Sequence, residues 1–203
     1  LAREGAIVPL KNMEVFDNNT DNPKSLEIKI FPGKTGSFTL WEDEGDCVEE
    51  SWVETKLEKA QEEGKDCFII HSPQGNTAVL PEKRCWKLDF VKIKENTVSV
   101  LVDGKETAYK ATVEKNGMCI EITEVPVNAE IKVVFENPIE ESLADLAQEA
   151  YAILEKAQIS YNLKSDLYEI IKEQQKGAIA TLASMELEPA MFGALCEILT
   201  AEK

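Results

Sequence analysis

The sequence predicts a mainly β fold: an antiparallel β-sandwich in residues 1–136, followed by a small C-terminal α-helical unit in residues 138–203. Two patterns support this prediction. The first is a series of short segments in which apolar and polar residues alternate, with turn residues between them, which is typical of antiparallel sheets. The second is a change at Asn137-Pro138, after which apolar residues recur at helical spacing.

About nine or ten strands are expected before residue 137. The apolar members of the clearest alternating runs are Leu26, Ile28 and Ile30; Phe38 and Leu40; Trp86, Leu88 and Phe90; Val98, Val100 and Val102; Tyr109, Ala111 and Val113; Met118, Ile120 and Ile122; and Ile131, Val133 and Phe135. Asp103-Gly104 is a strong signal for a two-residue hairpin, and Asn116-Gly117 predicts a second turn. Short strands joined in this way indicate an antiparallel sandwich or a related barrel-like fold.

The rest of the chain is expected to be helical. Asn137 suits a helix cap, Pro138 the first helical position and Glu140 the third position after the cap, so we expect the first helix to begin at Pro138. Gly177 is expected to bend or split the second helix, and Pro189 to begin a third segment. The large apolar residues of this region are Leu143, Leu146, Leu154, Leu167, Ile170, Ile171, Leu182, Phe192, Leu195 and Leu199. So many large apolar residues are unusual in a solvated appendage. The helices can cover much of this surface themselves, and we expect the remaining stripe to form an interface with the sandwich, with another subunit or with a domain outside this sequence.

Charge and composition limit the classes of partner. The chain has 203 residues, with 22 Lys and Arg against 38 Asp and Glu, and a net charge of -16, which argues against binding nucleic acid or anionic membrane surfaces. No apolar run approaches the roughly 18 residues of a membrane span. Five scattered cysteines without a C-x-x-C pattern predict reduced thiols in a cytoplasmic protein. The opening residues, LAREGAIVPL, lack the features of a signal peptide, and we expect the chain to be part of a longer protein.

Two polar features of the sequence are candidate reactive sites. His71, the one histidine, lies in phase with Cys67 and Ile69 in a strand-like run, which favours a structural role, although a Cys–His nucleophile pair stays an alternative. Residues 41–46 (WEDEGD) form the densest carboxylate cluster, where a glycosidase pair or a calcium loop would be the functional alternatives. Turn chemistry explains this segment, so its carboxylates are expected to face water. No zinc spacing or phosphate loop is present, and no cofactor or metal is expected.

Trp41 and Trp52 are the candidate carbohydrate contacts, because flat aromatic faces suit the apolar faces of pyranose rings. Trp52 is in phase with Glu54 and Lys56, and Trp41 ends its strand on the side opposite to the apolar stripe. Both should therefore be accessible, whereas Trp86 continues an apolar run and should lie in the core. The alternative is that the two rings pack against each other or against a neighbouring domain.

Two segments of the sequence resemble a known family. Residues 3–9 (REGAIVP) resemble the R-x-G-x-I-x-P segment that follows the catalytic barrel in glycoside hydrolase family 31, the α-glucosidase and α-xylosidase family. Residues 26–33 (LEIKIFPG) and 36–46 (GSFTLWEDEGD) are similar to the family's signature of a strand, P-G and then G-x-F-x-L-Y-E-D-D-G. That signature spans the junction of its proximal and distal C-terminal β-sandwich domains. Here Trp41 stands in place of the usual Tyr, and Glu44 in place of the usual Asp.

The resemblance implies a non-catalytic C-terminal accessory region of a retaining α-glycosidase that braces the catalytic barrel. The family's nucleophile motif, W-x-D-M-N-E, is not matched by residues 41–45 (WEDEG), and a barrel alone needs about 250 residues, so we expect no activity from this chain by itself. The expected partners are that barrel, an α-glucoside carbohydrate and, through the helical tail, a second copy of the chain. Two alternatives stay open: an independent carbohydrate-binding module that uses Trp41 and Trp52, and a protein-interaction or oligomerisation module that docks through the helical unit.

Overall fold

The chain divides into two units, residues 1–142 and 143–203. The computed structural model describes residues 2–11, 21–45, 51–114, 117–142 and 145–200. The first unit is built of strands and the second of helices, which confirms the predicted fold class. Asp46, Cys47, Asn116 and Leu143, which the sequence analysis considered, lie outside the described residues.

Each alternating run named in the sequence analysis contributes residues to a strand of the first unit, and the structure adds further strands to them. In chain order they are β1 (Ile7–Lys11), β2 (Ser25–Ile30), β3 (Gly36–Asp43), β4 (Trp52–Glu62), β5 (Lys65–Ile70), β6 (Gln74–Gly75), β7 (Lys83–Val91), β8 (Val98–Val102), β9 (Lys105–Glu106), β10 (Lys110–Glu114), β11 (Gly117–Pro126) and β12 (Ile131–Phe135). The Asp103-Gly104 turn joins β8 to β9, and both residues have positive φ angles, 49° and 74°, as a type I′ hairpin turn requires.

These strands form two sheets with one core between them. One sheet has the order β1-β2-β7-β11-β10, and the other β3-β4-β5-β12-β8-β9, with β6 beside β4. The described pairs are antiparallel except β2 with β7, which run parallel. Phe90 of the first sheet contacts Phe68 and Phe135 of the second edge to face, with ring centroids 5.8 and 5.0 Å apart. Alternate residues of β2, β7 and β12 are buried, and the buried apolar side chains of the two sheets pack together in one cluster.

Three glycines of the two motif segments meet where those segments cross. A Cβ on Gly36 would lie 2.0 Å from the carbonyl oxygen of Gly5, and a Cβ on Gly33 would lie 2.5 Å from the amide nitrogen of Gly5. The φ angles of Gly5 and Gly33, 71° and 138°, are also ones that other residues rarely adopt. The glycines therefore allow the backbone before β1 to contact the β2–β3 loop directly.

The second unit contains four helices: α1 (Leu146–Lys156), α2 (Tyr161–Gln174), α3 (Ala178–Ala183) and α4 (Pro189–Thr200). Gly177 ends a short 3₁₀ turn between α2 and α3, so the predicted interruption is confirmed. The unit has its own core, and the buried residues of this core are Leu146, Ala150, Leu154, Leu167, Ile171, Ala178, Leu182, Leu195 and Leu199. The leucines that the sequence analysis named in this region, Leu143 aside, are thus interior, and the large apolar side chains that the described part of this unit exposes are those of Tyr151 and Tyr161.

The first helix does not begin where the sequence predicted. Asp145 is the N-cap of α1, and its side chain accepts a hydrogen bond from the amide of Gln148. The preceding segment is extended along the sandwich instead: the Glu140 carbonyl accepts from the Lys94 amide at 2.9 Å, and Ile139 packs against the sandwich core. These tertiary contacts outweigh the local capping signal at Asn137-Pro138, which explains why the prediction of a helix from Pro138 was wrong.

Candidate functional site

The two candidate tryptophans lie side by side on the outer face of the sheet formed by β3 and β4. Trp41 is 60% exposed and Trp52 is 42% exposed, and their ring centroids are 4.9 Å apart. They therefore pack against each other and still present aromatic surface. Trp86, in contrast, is 4% exposed in the core, as its apolar phase predicted.

The strand register places carboxylates beside these rings. Asp43 lies directly opposite Trp52, and Glu54 lies directly opposite Trp41, so all four side chains belong to the same face of the sheet. The ring planes are inclined by 42°, so the surface is V-shaped rather than a flat platform. Such a surface can hold the apolar face of one ring-shaped ligand while carboxylate oxygens accept hydrogen bonds from its hydroxyl groups.

A buried ion pair lies on the inner side of the same strand. Arg84 of β7 donates two hydrogen bonds to Glu42, at 2.9 and 2.7 Å, and their side chains are 1% and 6% exposed. The Nε of Arg84 donates to the carbonyl oxygen of Pro23, and its guanidinium lies 5.5 Å from the ring centroid of Trp86. The expectation that the carboxylates of residues 41–46 face water in a turn was therefore wrong for Glu42. Since β3 continues to Asp43, strand alternation directs this side chain inward.

Two further contacts hold the end of β3. The side-chain amide of Asn22 donates to the carbonyl oxygens of Asp43 and Val79, each at 2.9 Å. The Asp43 carboxylate accepts from the amide of Gly45 at 2.8 Å, an Asx turn of the kind that the sequence predicted here. The strand end that carries Trp41 is therefore held by a buried ion pair on one side and by a neighbouring loop on the other.

His71 lies just after β5, among carboxylates. Its Nε2 is 3.0 Å from an oxygen of Glu58, and its Nδ1 is 3.8 Å from an oxygen of Glu130. Lys56 also contacts Glu58, and these contacts lower the pKa of the Glu58 carboxyl, chiefly through the hydrogen bond from Lys56. This is a surface cross-strand network of charges, and it is consistent with the structural role that the sequence favoured.

The described cysteines are free thiols: Cys67, Cys85, Cys119 and Cys196. Burial raises the pKa of the Cys67 and Cys119 thiols, that of Cys119 to about 11. Since the thiolate is the nucleophilic form, both are poor nucleophiles near neutral pH. This chemistry gives no support to the Cys–His alternative for Cys67.

The helical unit has an aromatic cleft of its own. Tyr151, Tyr161 and Tyr168 line a cavity of about 290 Å³ together with Lys164 and Glu155. Tyr161 is 82% exposed, and the rings of Tyr151 and Tyr168 contact each other edge to face at 5.9 Å. Three of the four tyrosines in the chain thus meet at one cleft, a concentration that the helical periodicity did not indicate. Exposed tyrosines are typical of binding surfaces, because they present apolar area and a hydroxyl group at low entropic cost.

Among the helices that the structure describes, none is both long enough and apolar enough to cross a membrane.

Comparison with known proteins finds similarity at the level of the fold. No family model and no curated protein matches the sequence. Among solved structures, the chain is similar to the glycoside hydrolase family 31 dextranase of Flavobacterium johnsoniae, both as a mutant complexed with isomaltotriose and complexed with glucose. Each match has a TM-score of 0.51 and 18% identity, and covers 65% of this chain and 19% of the dextranase. The α-1,4-glucan lyase of Gracilariopsis lemaneiformis is also found, with a TM-score of 0.47, 12% identity, and 65% and 16% coverage.

The sandwich has the fold of part of a family 31 glycoside hydrolase. The helical unit holds fewer than a third of the residues, so a match to 65% of the chain must include much of the sandwich. The chain spans about a fifth of the dextranase. The fold therefore agrees with the resemblance that the motifs in residues 3–46 indicated.

The sequence analysis placed Trp41 and Trp52 correctly on the exposed face, but it did not identify the buried ion pair of Glu42 with Arg84. The signal was present, because Glu42 follows Phe38 and Leu40 at spacing two, and Arg84 precedes Trp86 at the same spacing. A charged residue in the phase of an apolar stripe is directed inward wherever the strand continues.

Proposed function

We propose that residues 1–142 are a non-catalytic accessory β-sandwich of a retaining α-glycosidase related to glycoside hydrolase family 31, and that they brace its catalytic barrel. The observation that carries this proposal is the meeting of Gly5, Gly33 and Gly36. These glycines come from two separate motif segments, and the structure explains why both segments need glycine. The similarity of the fold to about a fifth of a family 31 dextranase supports the same proposal.

The first test is an activity assay on the isolated chain. With aryl α-glucosides and aryl α-xylosides we expect only the background rate, because the ion pair with Arg84 occupies Glu42, and residues 41–45 do not match the family's nucleophile motif. Turnover that Asp43→Asn abolishes would overturn the proposal. A reading frame upstream of Leu1 that carries W-x-D-M-N-E would support it.

A second candidate function is carbohydrate binding at the Trp41–Trp52 surface, which the exposed, paired rings favour. Each stacked ring contributes about 1 kcal/mol by analogy with other aromatic contacts, so Trp41→Ala or Trp52→Ala should weaken binding about fivefold. The measurement is a titration with glucose oligomers, followed by ligand-observed NMR so that loss of a tryptophan does not remove the signal. Tyr161→Ala is the matched control, since it removes an exposed aromatic ring from the other unit. Binding that both tryptophan variants leave unchanged would contradict this function.

A third candidate is self-association through the helical unit, which the tyrosine cleft favours. Light scattering over a range of concentrations should show a dimer or larger assembly, and Tyr151→Ser with Tyr161→Ser should shift it toward the monomer. Tyr109→Ser, at a half-exposed tyrosine of the sandwich, is the control. A wild-type chain that is monomeric at every concentration would exclude this function.

We also propose a cytoplasmic location, which the free thiols of the described cysteines support.

A further inference from the structure

One end of the sandwich, beside the β2–β3 loop, contains a cavity of about 350 Å³. Phe68, Phe90 and Phe135 form its apolar floor, and Pro32 and Ile139 lie on its walls. Its lining residues all belong to the sandwich unit. The volume is at the lower end of the range of about 300–1,000 Å³ that small-molecule sites occupy.

A buried lysine lines this cavity. Lys59 follows Leu57 of β4 at spacing two, so its side chain is directed inward, and the residue is 8% exposed. Its Nζ donates to the carbonyl oxygen of Phe31 at 2.9 Å, which is the one hydrogen bond that the described residues give it. Burial lowers the pKa of this ammonium, and the negative charges of Asp66 and of two glutamates at the rim oppose the shift. Because an ammonium has three N–H donors, two are left for a ligand.

An acceptor faces the same cavity. One oxygen of the Asp66 carboxylate accepts from the side-chain amide of Gln61 at 2.8 Å, and the other accepts from the amide of Ile139 at 3.1 Å. These bonds fix the orientation of the carboxylate, and each oxygen keeps a lone pair. The cavity therefore presents a charged donor and a charged acceptor above an apolar floor.

The charges around the cavity select the class of ligand. Three carboxylates, those of Glu4, Asp66 and Glu141, line it together with two ammonium groups, those of Lys34 and Lys59. An anion is disfavoured by the carboxylates and by the net charge of -16, and a cation by the buried Lys59. Hydroxyl groups suit both the Lys59 ammonium and the Asp66 carboxylate, because a hydroxyl group can accept a hydrogen bond from the ammonium and donate one to the carboxylate.

We propose that this cavity binds a small, neutral, polyhydroxylated molecule of the size of a single sugar ring. Its hydroxyl oxygens accept hydrogen bonds from Lys59, its hydroxyl hydrogens are donated to Asp66, and its C–H face lies on the apolar floor. Lys59 is seven residues along β4 from Trp52, or about 23 Å at the rise of a strand, so this site is separate from the tryptophan surface. The proposal does not depend on the accessory role.

Saturation-transfer NMR on the full chain tests this with glucose, xylose and myo-inositol, and with gluconate as the anionic comparison. We expect a Kd in roughly the millimolar range for at least one neutral probe, and weaker binding of gluconate. Lys59→Met keeps the volume of the side chain and should weaken binding by about tenfold or more, since it removes two charge-assisted hydrogen bonds. Because this variant also removes a buried charge that has no carboxylate partner among the described residues, its melting temperature should not fall.

Lys34→Met at the exposed rim and Trp41→Ala on the distant surface are the matched controls, and both should bind as the wild type does. A second measurement uses the wild type alone: the bound probe should slow acetylation of Lys59 by acetic anhydride, but not that of Lys34. The proposal is overturned if no neutral probe binds, if Lys59→Met binds as the wild type does, if gluconate binds more tightly, or if binding is lost in Trp41→Ala instead.

Discussion

The Glu42–Arg84 pair makes a quantitative prediction about the sandwich. Glu42→Gln removes the negative charge and leaves the Arg84 guanidinium in a place where its side chain is 1% exposed. Loss of one partner of a buried ion pair costs about 3–5 kcal/mol, because the other charge stays buried without compensation. That is a large fraction of the roughly 5–15 kcal/mol by which a domain is stable. Arg84→Met should cost a similar amount.

Urea unfolding followed by tryptophan fluorescence measures this cost. All three tryptophans lie in the sandwich unit, so the signal reports its unfolding without that of the helical unit. The matched control is Glu121→Gln, at the ion pair with Lys110, whose side chains are 40% and 71% exposed. A surface pair of this kind contributes less than about 1 kcal/mol.

The double variant Glu42→Leu with Arg84→Met separates burial of charge from loss of packing. With both charges removed, neither is left without a partner, so most of the stability should return. Two results would refute the reasoning: a Glu42→Gln variant that loses no more stability than Glu121→Gln, or a double variant whose loss equals the sum of the losses measured for Glu42→Leu alone and for Arg84→Met alone.

Three further predictions follow from other parts of the sandwich. A chain that ends after Asn137 should have a lower melting temperature by tryptophan fluorescence than one that ends after Ser142, because it lacks the contacts of Ile139 and Glu140 with the sandwich. Equal melting temperatures would contradict a stabilising role for residues 138–142. Gly36→Ala should cost about 2 kcal/mol or more in urea unfolding, because its Cβ would lie 2.0 Å from the Gly5 carbonyl oxygen. The folded pKa of Cys119, about 11, is above the ordinary value of 9.0, so its protonated thiol stabilises the fold fully below pH 9 and progressively less toward pH 11. Cys119→Ala should flatten that decline in the free energy of unfolding, and an unchanged slope would contradict it.

The strands could be predicted because their apolar and polar residues alternate as their side chains alternate between the core and the solvent. Leu88 and Ile120 lie opposite each other in neighbouring strands, and both are fully buried, as the phase of their runs indicated. The exposure of Trp41 and Trp52 followed from the same rule. Residues such as these are placed by their own strand, so a local pattern is sufficient.

The first helix boundary was not predictable, because it depends on contacts that are distant in sequence. Asn137-Pro138 and Asp145 are both acceptable helix starts by local chemistry. Two tertiary contacts keep residues 138–142 extended, so that the helix begins after Asp145. Asp66 accepts a hydrogen bond from the amide of Ile139, 73 positions away, and the side chain of Ile139 packs against the sandwich core. No signal within residues 137–145 reports these partners.

Three charged residues of the sandwich alternate with apolar residues in their own strands, and their burial has two different explanations. Glu42, Lys59 and Arg84 each lie two positions from an apolar residue of the same strand, and all three are buried. Two of them neutralise each other, so their burial is explained by packing between the sheets. Lys59 has a carbonyl oxygen and a cavity instead of a carboxylate partner among the described residues, so its burial costs stability. A buried charge that costs stability and faces a cavity is typical of a binding site, and for this reason Lys59 is the residue on which the ligand proposal rests.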